Sequence, residues 1–397
     1  MSKILIISNK YQFFGGTEQV VLNEINLLKN KGHNVRLLEF DNNSIKKYNF
    51  FQKIKFILNS FYSFDSRKKL KQVLVDFRPD YIHIHNIYPL ISLSIYGILN
   101  SLETPVFQSF HDHRLAGLCP QGNAFRNNKF CDKCFNGNFL YAVYYRCIKN
   151  NSILSIVYAF NLFINKKFRI IENGIDFAIV FNDYMKNRLL KVGFNEEKIF
   201  VKPHFTEIIN GIKKNKKEYI IFIGAIDNHK GIFTLIYAYE LLKNKIPLII
   251  VGNGEKINEL KKYVIDHNLS NISFVGEIRN DYEKYKLIAD SLVSIIPSES
   301  PETFCLTAIE SMSVGAPIIS SDIGSLRYLI NNKKNGFKFK CGDHNDLSNK
   351  IDYIIENKSD RIKLGINAKK TFLNNYTPNQ NYNYFERLFH KANNKKE

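Results

Sequence analysis

The segment that decides the fold runs from Lys3 to Phe40 and reads KILIISNKYQFFGGTEQVVLNEINLLKNKGHNVRLLEF. It begins with a short apolar strand, Ile4–Ser8, and passes through a glycine-containing loop. Thr17–Lys31 then has apolar residues at helical spacing, and Val35–Phe40 is a second apolar strand. A strand, a helix and a strand in this order predict a parallel sheet covered by helices.

The same alternation continues along the chain and forms two successive blocks. Further strands are predicted at Tyr81–His85, Val106–Phe110, Phe177–Phe181, Tyr219–Ile223, Leu248–Val251, Ile272–Val275, Leu292–Ile296 and Pro317–Ser320, with helices at Gly231–Lys243 and Ile257–His267. A length of 397 residues also exceeds what one core usually holds. We therefore expect an α/β protein with two Rossmann-like domains that face each other across a cleft at the carboxyl ends of their strands.

The domain limits follow from composition. We expect an N-terminal domain over residues 1–205 and a C-terminal domain over residues 206–374. The Lys- and Asn-rich segment Thr206–Lys217 is typical of a solvated linker between them. Residues 375–397 are predicted to form a helix that packs back on the N-terminal domain.

Composition limits the class of protein. No stretch of about 18 apolar residues is present, so no transmembrane helix is expected. The longest apolar run, Ile153–Ile164, is predicted to be a buried helix. The N-terminus enters a strand at once without a secretory signal, which favours a cytoplasmic protein. The net charge is +19, of which +13 falls on residues 1–205; it is compatible with an anionic membrane, an acidic substrate, nucleic acid or a simple lysine bias.

The most informative stretch is PSESPETFCLTAIESMSVGAPIISSDIGS, residues 297–325. Glu302 lies in a loop after a predicted strand, and Glu310 lies in the helix that follows. Between them, the amides of residues 303–308 form a helix N-terminus, which suits an anion such as a diphosphate. A carboxylate nearby can accept paired hydrogen bonds from sugar hydroxyls.

This stretch resembles the donor-binding signature of glycosyltransferase family 4, whose members have the two-domain GT-B fold. The matching residues are Pro297-Ser298, Glu302-Thr303-Phe304-Cys305, Glu310-Ser311-Met312-Ser313 and Gly315-Ala316-Pro317. The resemblance implies that Glu302 holds the hydroxyls of the donor sugar and that Glu310 holds the ribose. It also implies that the backbone of Phe304, Cys305 and Leu306 lines the sugar and the phosphates.

A second element, GAIDNHKG from Gly224 to Gly231, lies between a predicted strand and a predicted helix. It resembles the family loop in which an arginine and a lysine clamp the leaving diphosphate. Lys230 matches the lysine, while Ala225 replaces the arginine. The sequence also departs from the family at Thr303 and Cys305, where glycine is common, so their side chains point away or the sugar pocket is smaller than usual.

Two elements of the N-terminal block match the family as well. Gly15 and Gly16 follow the first strand and open a helix, where a backbone without side chains can approach a phosphate. His111 follows the strand Val106–Phe110, and the resemblance implies that this histidine reaches the donor sugar. We expect Asp112 to orient His111 or to cap a turn.

The resemblance implies a retaining glycosyltransferase that needs no metal at the diphosphate and no other cofactor. Catalysis would rest on His111, Lys230 and Glu302. The C-terminal domain would bind the donor, for which a UDP-sugar is favoured over a GDP-sugar, and the N-terminal domain would bind the acceptor. The expected acceptor is a lipid-linked or saccharide intermediate of a surface polysaccharide. Two alternatives stay open: a UDP-sugar epimerase of the same fold, and a non-enzymatic, basic nucleic-acid-binding protein, although no nucleic-acid-binding motif supports the latter.

The segment from Lys46 to Lys71 predicts binding to the inner face of the cell membrane. It interleaves basic and aromatic residues, a pattern that suits an anionic bilayer surface; they are Lys46, Lys47, Lys53, Lys55, Arg67, Lys68, Lys69 and Lys71, with Tyr48, Phe50, Phe51, Phe56, Phe61, Tyr62 and Phe64. A buried helix pair with a solvated basic face is the alternative.

Four of the six cysteines, Cys119, Cys131, Cys134 and Cys147, fall within 29 positions. The central Cys-x-x-Cys is typical of a zinc site, and four thiolates suit a closed, tetrahedral structural site. Disulfides are disfavoured in a reducing cytoplasm. The sequence therefore predicts a structural Zn²⁺ site just after His111, with free thiols as the alternative.

Overall fold

The structure is a computed structural model that describes residues 1–10, 15–212, 215 and 217–394. The chain divides into two compact units. The first unit contains residues 1–124, 132–203 and the chain from Asn381 onward, and the second contains Phe125–Cys131 and His204–Gln380. Each unit is described below by itself.

Most strands are short and buried. In chain order they are β1 (Lys3–Lys10), β2 (Asn34–Asp41), β3 (Tyr81–Ile84), β4 (Val106–Ser109), β5 (Phe125–Arg126), β6 (Lys129–Phe130), β7 (Phe177–Val180), β8 (Ile199–Val201), β9 (Ile220–Ile223), β10 (Leu248–Val251), β11 (Ile272–Gly276), β12 (Val293–Ile296), β13 (Ile318–Ser321) and β14 (Phe337–Phe339).

Helices separate nearly all of the sheet strands. They are α1 (Gly16–Asn30), α2 (Phe50–Phe61), α3 (Phe64–Phe77), α4 (Tyr96–Leu99), α5 (Leu140–Tyr144), α6 (Ser152–Phe168), α7 (Ile170–Asn173), α8 (Asp183–Lys191), α9 (Ile232–Glu240), α10 (Ile257–Asp266), α11 (Asp281–Asp290), α12 (Leu306–Ser313), α13 (Leu326–Leu329), α14 (His344–Glu356), α15 (Lys358–Asn375) and α16 (Pro378–Asn394). Among the described residues, none of these helices has the length and apolarity needed to cross a bilayer.

Each unit is built on a six-stranded parallel sheet, which confirms the predicted α/β fold with two Rossmann-like domains. The strand order is β2-β1-β3-β4-β7-β8 in the first unit and β11-β10-β9-β12-β13-β14 in the second. The second order is that of a doubly wound dinucleotide-binding sheet, and it reverses between β9 and β12. Ligands bind such sheets where the order reverses, at the carboxyl ends of the strands.

The cores explain why these segments are strands. Strands of a parallel sheet are covered on both faces, so they are continuously apolar, as in Ile4–Ile7 and Ile220–Phe222, whose residues are at most 2% exposed. In the first unit, the C-terminal helix α16 joins the core, where the ring of Phe389 stacks on Tyr81 with 4.2 Å between centroids.

All ten predicted strands exist, with ends that differ by at most two residues. The prediction missed β8 and β14, which have only three residues each, and the two-residue strands β5 and β6. The predicted linker Thr206–Lys217 is wrong in part, because Thr206 is buried and its hydroxyl contacts that of Tyr285. Lys213, Lys214 and Lys216 lie outside the described residues.

A candidate donor site and a buried histidine cluster

Two loops of the second unit meet at the point where its strand order reverses. Residues 224–231 follow β9, and residues 297–302 follow β12, the neighbouring strand. Gly231 has a φ of 69°, and a Cβ atom there would lie 1.8 Å from the Pro297 carbonyl oxygen. Only glycine allows this conformation and this close approach. The backbone therefore brings the loop that carries Lys230 against the loop that carries Glu302.

The centre of this site is an ion pair between two predicted residues. The Nζ atom of Lys230 lies 2.9 Å from Oε1 of Glu302. The side chains are 29% and 12% exposed, so both remain accessible to a ligand. Ser298 donates a second hydrogen bond to the same carboxylate oxygen. The structure thus brings Lys230 and Glu302 together, although 72 positions separate them in the sequence.

The pair is charged at neutral pH. Burial alone would raise the pKa of Glu302, but Lys230 and the hydrogen bond from Ser298 outweigh it, and the pKa is lowered. Burial likewise acts to lower the pKa of Lys230, but Glu302 and its neighbours raise it. His229 lies beside the pair, and burial lowers its pKa, so this histidine is neutral. Sequence analysis did not assign a role to His229.

Glu310 forms a second ion pair in the same unit. It lies on α12, and its Oε1 accepts a hydrogen bond of 2.8 Å from Nζ of Lys284 on α11. Glu310 is 9% exposed and Lys284 is 16% exposed. Sequence analysis missed Lys284, because no motif marks it and it is brought to Glu310 only by the packing of α11 on α12.

The departures from the family pattern have a structural explanation at Cys305. Its side chain is 4% exposed and belongs to the apolar cluster around Ile296 and Ala308. Burial raises the pKa of the Cys305 thiol well above its usual range, so it stays protonated. The side chain of Cys305 therefore points into the core of the second unit. This is the first of the two predicted possibilities, a side chain that points away from the sugar pocket. Phe304 is half-buried against His204, with 5.0 Å between ring centroids.

The remaining predicted donor contacts are backbone groups at element ends. Leu306 is the first residue of α12, with Cys305 as its N-cap in an extended conformation. Gly224 follows β9, and its amide donates to the carbonyl oxygen of Val251. The role of Gly224, Cys305 and Leu306 in lining the donor stays a prediction.

In the first unit, Gly15 and Gly16 open α1. Gly15 is the N-cap with a φ of −143°, which any residue can adopt. Its amide donates to the carboxylate of Glu18 at 3.0 Å, so the α1 N-terminus already has an anionic partner. Phe14, the preceding residue of the motif, lies outside the described residues. The role of Gly15 and Gly16 in donor binding stays a prediction.

His111 lies at the carboxyl end of β4, next to residues that follow β3 and β7. Its Nε2 atom is 3.0 Å from Nδ1 of His85, and its ring lies 5.0 Å from that of Phe181. Asp112 caps a turn, since its Oδ1 accepts from the amides of Arg114 and Leu115. The structure therefore gives His111 a partner that sequence analysis did not single out.

His85 belongs to a fully buried group of polar side chains. Oε2 of Glu24 lies 3.3 Å from Nδ1 of His83 and 3.3 Å from Nε2 of His85. Its other oxygen, Oε1, lies 2.5 Å from Nζ of Lys202. All four side chains are at most 1% exposed. A signal was available in the sequence, because His83 and His85 alternate on a strand and must share one face.

Of the predicted zinc ligands, Cys134 and Cys147 pack in one apolar cluster of the first unit. Cys119 also belongs to the first unit, and Cys131 belongs to the second. Within the described residues, the group of His, Cys, Asp and Glu side chains close enough to hold an ion is Glu24, His83 and His85. The zinc site stays a prediction, which elemental analysis of protein purified without chelator tests.

Two family profiles match almost the whole chain. The profile of Glycosyltransferase Family 4 matches residues 14–208, and that of Glycosyl transferases group 1 matches residues 205–371. The chain belongs to glycosyltransferase family 4. This membership and the two six-stranded sheets confirm the family and the GT-B fold that the sequence predicted.

Curated relatives and solved structures agree with this family. The chain is 29% identical over 209 residues to an uncharacterized glycosyltransferase of Methanocaldococcus jannaschii, covering 51% of the chain and 56% of that protein. It is 27% identical over 173 residues to the O-antigen chain mannosyltransferase C of Escherichia coli, covering 43% and 46%. The chain thus spans about half the length of these relatives.

Solved structures match over nearly their full length. HepE of Anabaena, solved in complex with UDP-glucose, matches with a TM-score of 0.66 at 17% identity, covering 98% of this chain and 99% of that one. A glycosyltransferase from Rickettsia africae matches with a TM-score of 0.68 at 17% identity, covering 98% of both chains. At this identity, the likeness shows the fold alone.

Proposed function

We propose that this protein is a retaining glycosyltransferase. It transfers a sugar from a nucleotide diphosphate sugar to an acceptor in the synthesis of a surface polysaccharide, and we favour a UDP-sugar over a GDP-sugar as the donor. The observation that carries the proposal is the accessible pair of Lys230 and Glu302 where the strand order of the second sheet reverses. Relatives named as an O-antigen mannosyltransferase and a UDP-glucose complex of the same fold support it.

In the proposed reaction, the bond between the anomeric carbon and the phosphate oxygen breaks, and the acceptor oxygen bonds to that carbon from the same face. The proton of the acceptor hydroxyl passes to the departing phosphate oxygen. Lys230 stabilises the negative charge that develops on the diphosphate. Glu302 accepts hydrogen bonds from the donor sugar, Glu310 binds the ribose, and His111 contacts the sugar.

The ion pairs leave both partners of each pair able to bind a ligand. A carboxylate has about four lone-pair positions and an ammonium three protons, so each partner can bind a ligand without releasing the other. Glu302 can therefore hold sugar hydroxyls while Lys230 turns its remaining protons to the diphosphate. Lys284 holds Glu310 in the same way, and we infer that it orients this carboxylate toward the ribose.

The test is an assay with a panel of UDP- and GDP-sugars and polyprenyl-linked saccharide acceptors. We expect release of the nucleoside diphosphate that depends on the acceptor, and a product whose anomeric configuration matches that of the donor. An epimerised nucleotide sugar formed without acceptor would favour the epimerase. Salt-dependent DNA binding without stabilisation by any nucleotide would favour a nucleic-acid-binding protein; a true ligand at 100 times its Kd should stabilise the fold by about 2.7 kcal/mol.

We also propose that the first unit binds the anionic inner surface of the cell membrane. On α2 and after it, Phe51, Leu58 and Phe64 are 79%, 63% and 72% exposed. Lys55 is exposed among them and lies 3.4 Å from Asp65. The side chains of Lys46, Lys47, Phe50 and Lys53, which the sequence prediction included, lie outside the described residues.

The surface extends onto α6, which sequence analysis predicted to be buried. That prediction is wrong for one face, because Ile153, Ile156, Phe160 and Phe163 recur at helical spacing and are 47–61% exposed. Phe160 contacts Phe61 at the end of α2, so the two helices form a shared apolar surface. Lys166 and Lys167 lie in the last turn of α6, and this mixture of apolar and basic residues suits an anionic bilayer.

Arg67 is an exception within the predicted basic segment. Its guanidinium contacts the Ser94 carbonyl oxygen and stacks over Tyr62, so it is held by the protein. Flotation with vesicles tests the surface. We expect recovery with anionic but not neutral vesicles, and loss of it in Phe160→Ser, while Ile366→Ser, at a more exposed apolar side chain of the second unit, keeps it. Equal recovery of all three proteins would contradict the proposal.

A further inference from the structure

We propose that Glu24, His85 and Lys202 form a buried chain of contacts that positions His111 and keeps its ring proton on Nε2. This inference rests on the proposed function, in which His111 contacts the donor sugar. It adds positioning residues that no family motif marks, and it assigns a role to a group of charges buried in the core of the first unit.

The four side chains come from four different elements. Glu24 lies on α1, His85 directly follows β3, and Lys202 directly follows β8. One residue separates His111 from the end of β4. Contacts link them in series: Lys202 Nζ to Glu24 Oε1 at 2.5 Å, Glu24 Oε2 to His85 Nε2 at 3.3 Å, and His85 Nδ1 to His111 Nε2 at 3.0 Å. Asn381 also accepts from Lys202, at 3.3 Å.

The carboxylate decides which ring nitrogens carry protons. An ionised carboxylate attracts an N–H and repels a lone pair, so Nε2 of His85, which lies 3.3 Å from Oε2 of Glu24 outside hydrogen-bond geometry, carries a proton toward Glu24. A neutral imidazole has one N–H, so Nδ1 of His85 is an acceptor, and Nε2 of His111 must donate to it. The chain thus selects one tautomer of His111, in which Nδ1 keeps its lone pair. It also fixes the plane of the ring.

The charges support this assignment. Burial alone would raise the pKa of Glu24, but Lys202, His85 and His83 together lower it well below its usual range, so Glu24 is ionised. Burial lowers the pKa of His111 well below its usual range, so its ring is neutral. Lys202 and Glu24 then form a pair with no net charge, which a fully buried site requires.

A metal ion is the competing explanation. One ligand atom each from Glu24, His83 and His85 lies within 4.8 Å of the others. However, the ammonium of Lys202 already neutralises Glu24 at 2.5 Å. A divalent cation would therefore add two uncompensated charges to a site without solvent, which is strongly unfavourable. Oε2 of Glu24, Nδ1 of His83 and Nε2 of His85 have no hydrogen-bond partner among the described residues. We infer that the ion pair of Lys202 with Glu24, and not a metal, compensates the charge of this group.

The decisive variant is Glu24→Gln. The ammonium of Lys202 needs an acceptor, so the glutamine oxygen faces Lys202 and the amide nitrogen faces His85. His85 then accepts at Nε2 and carries its proton on Nδ1, which forces His111 to accept at Nε2 and to carry its own proton on Nδ1. If Glu24 only supported the fold, Glu24→Gln would not move the ring proton of His111 from Nε2 to Nδ1.

The measurement is ¹⁵N NMR of the histidine rings in the full chain, with His111 assigned from a His111→Gln sample. We expect the His111 proton on Nε2 in the wild type and on Nδ1 in Glu24→Gln, with kcat reduced by about 10²-fold, the loss that follows from a misplaced reacting group. The affinity for UDP should not change. The matched control is His83→Phe, because His83 contacts the same carboxylate and its ring packs 4.1 Å from that of His85, but its hydrogen bond is to Ser109; it should leave the His111 tautomer unchanged.

His85→Phe provides a second test if Glu24→Gln does not fold. It removes the contact to His111 and should give a mixture of both tautomers. An unchanged His111 tautomer in either variant overturns the proposal, as does a stoichiometric metal that is lost in Glu24→Gln and kept in Cys131→Ser. NMR needs no substrate, so the two proposals can fail separately. If Glu24→Gln exchanges the His111 tautomer but the wild type is inactive with every donor, the chain of contacts stands and the proposed function is refuted.

Discussion

The candidate donor site of the second unit and the histidine cluster of the first unit are both built around a glutamate beside a lysine, yet they differ in exposure. Lys230 and Glu302 are 29% and 12% exposed, whereas Lys202 and Glu24 are completely buried. An accessible pair can add a ligand to its contacts. A buried pair cannot be separated without leaving a charge in an apolar medium. The first pair therefore suits binding, and the second suits the fixing of a geometry.

The largest effect on stability is expected from Glu24→Ala. This change leaves the ammonium of Lys202 buried without its partner, so the free energy of unfolding of the first unit should fall by about 3–5 kcal/mol. Urea unfolding measures it. The double variant Glu24→Leu with Lys202→Met should recover much of this loss, since it removes both charges. A loss below about 1 kcal/mol, the range of surface pairs, would contradict the contrast between the two pairs.

The next effect is expected from Lys230→Ala, which should leave the fold intact. Loss of one charged donor to the diphosphate should reduce kcat by about 10²–10³-fold. Lys256→Ala is the matched control, because Lys256 also pairs with a glutamate, Glu259, at 2.6 Å in the same unit but on an exposed helix turn. Steady-state kinetics with a genuine donor decide the matter, and equal rates in both variants would refute the role of Lys230.

Glu310→Ala should act mainly on donor binding. Hydrogen bonds to charged groups contribute about 1.5–3 kcal/mol, so the Kd for UDP should rise by at least tenfold. Lys284→Ala should show part of this effect, because Lys284 holds Glu310 at 2.8 Å. Calorimetry of both single variants and the double variant measures their coupling. Additive losses would show that Lys284 acts independently of Glu310.

A further effect concerns pH and the buried histidines of the first unit. Burial lowers the pKa of His113 to about 4, although the Gly122 carbonyl and Asp112 oppose it. The unfolded chain binds this proton near pH 6.5, so stability is complete above about pH 6.5 and is lost toward pH 4, by about 1.4 kcal/mol per pH unit for each such histidine.

Urea unfolding between pH 7.5 and pH 4.5 tests this dependence. His113→Gln should reduce the slope. An unchanged slope in His113→Gln would show that the histidine is already protonated in the fold. The result would sharpen the comparison, since His83 and His111, whose pKa values are also lowered by burial, belong to the same unit.

The two regions also differ in how far the sequence predicts them. Lys230, Glu302 and Glu310 are marked by motifs that follow strands directly, so their place at the carboxyl ends of the second sheet was predictable. Their close pairing depends on Gly231 and on the packing of α11 against α12, which tertiary structure decides. The ten longer apolar strands were predictable for the same reason, because burial on both faces leaves an uninterrupted apolar run.

The histidine cluster was not predictable in this way. Glu24 interrupts the apolar face of α1, and Lys202 follows a strand of three residues that carries too little pattern to be recognised. Their contact spans 178 positions and appears only when the sheet is assembled. The exposed face of α6 was missed for a related reason. An apolar run has the same sequence pattern whether it packs in the core of the protein or lies on its surface.

The most direct test of the account is calorimetric titration of UDP and GDP into the wild type, Lys230→Ala and Lys256→Ala. We predict that one UDP binds per chain, more tightly than GDP, and that Lys256→Ala binds with wild-type affinity. In Lys230→Ala the affinity should fall by at least tenfold, as expected for the loss of a charged hydrogen bond worth about 1.5–3 kcal/mol. Absence of binding by either nucleotide to the wild type, or equal affinity in Lys230→Ala, would contradict the assignment of the donor site.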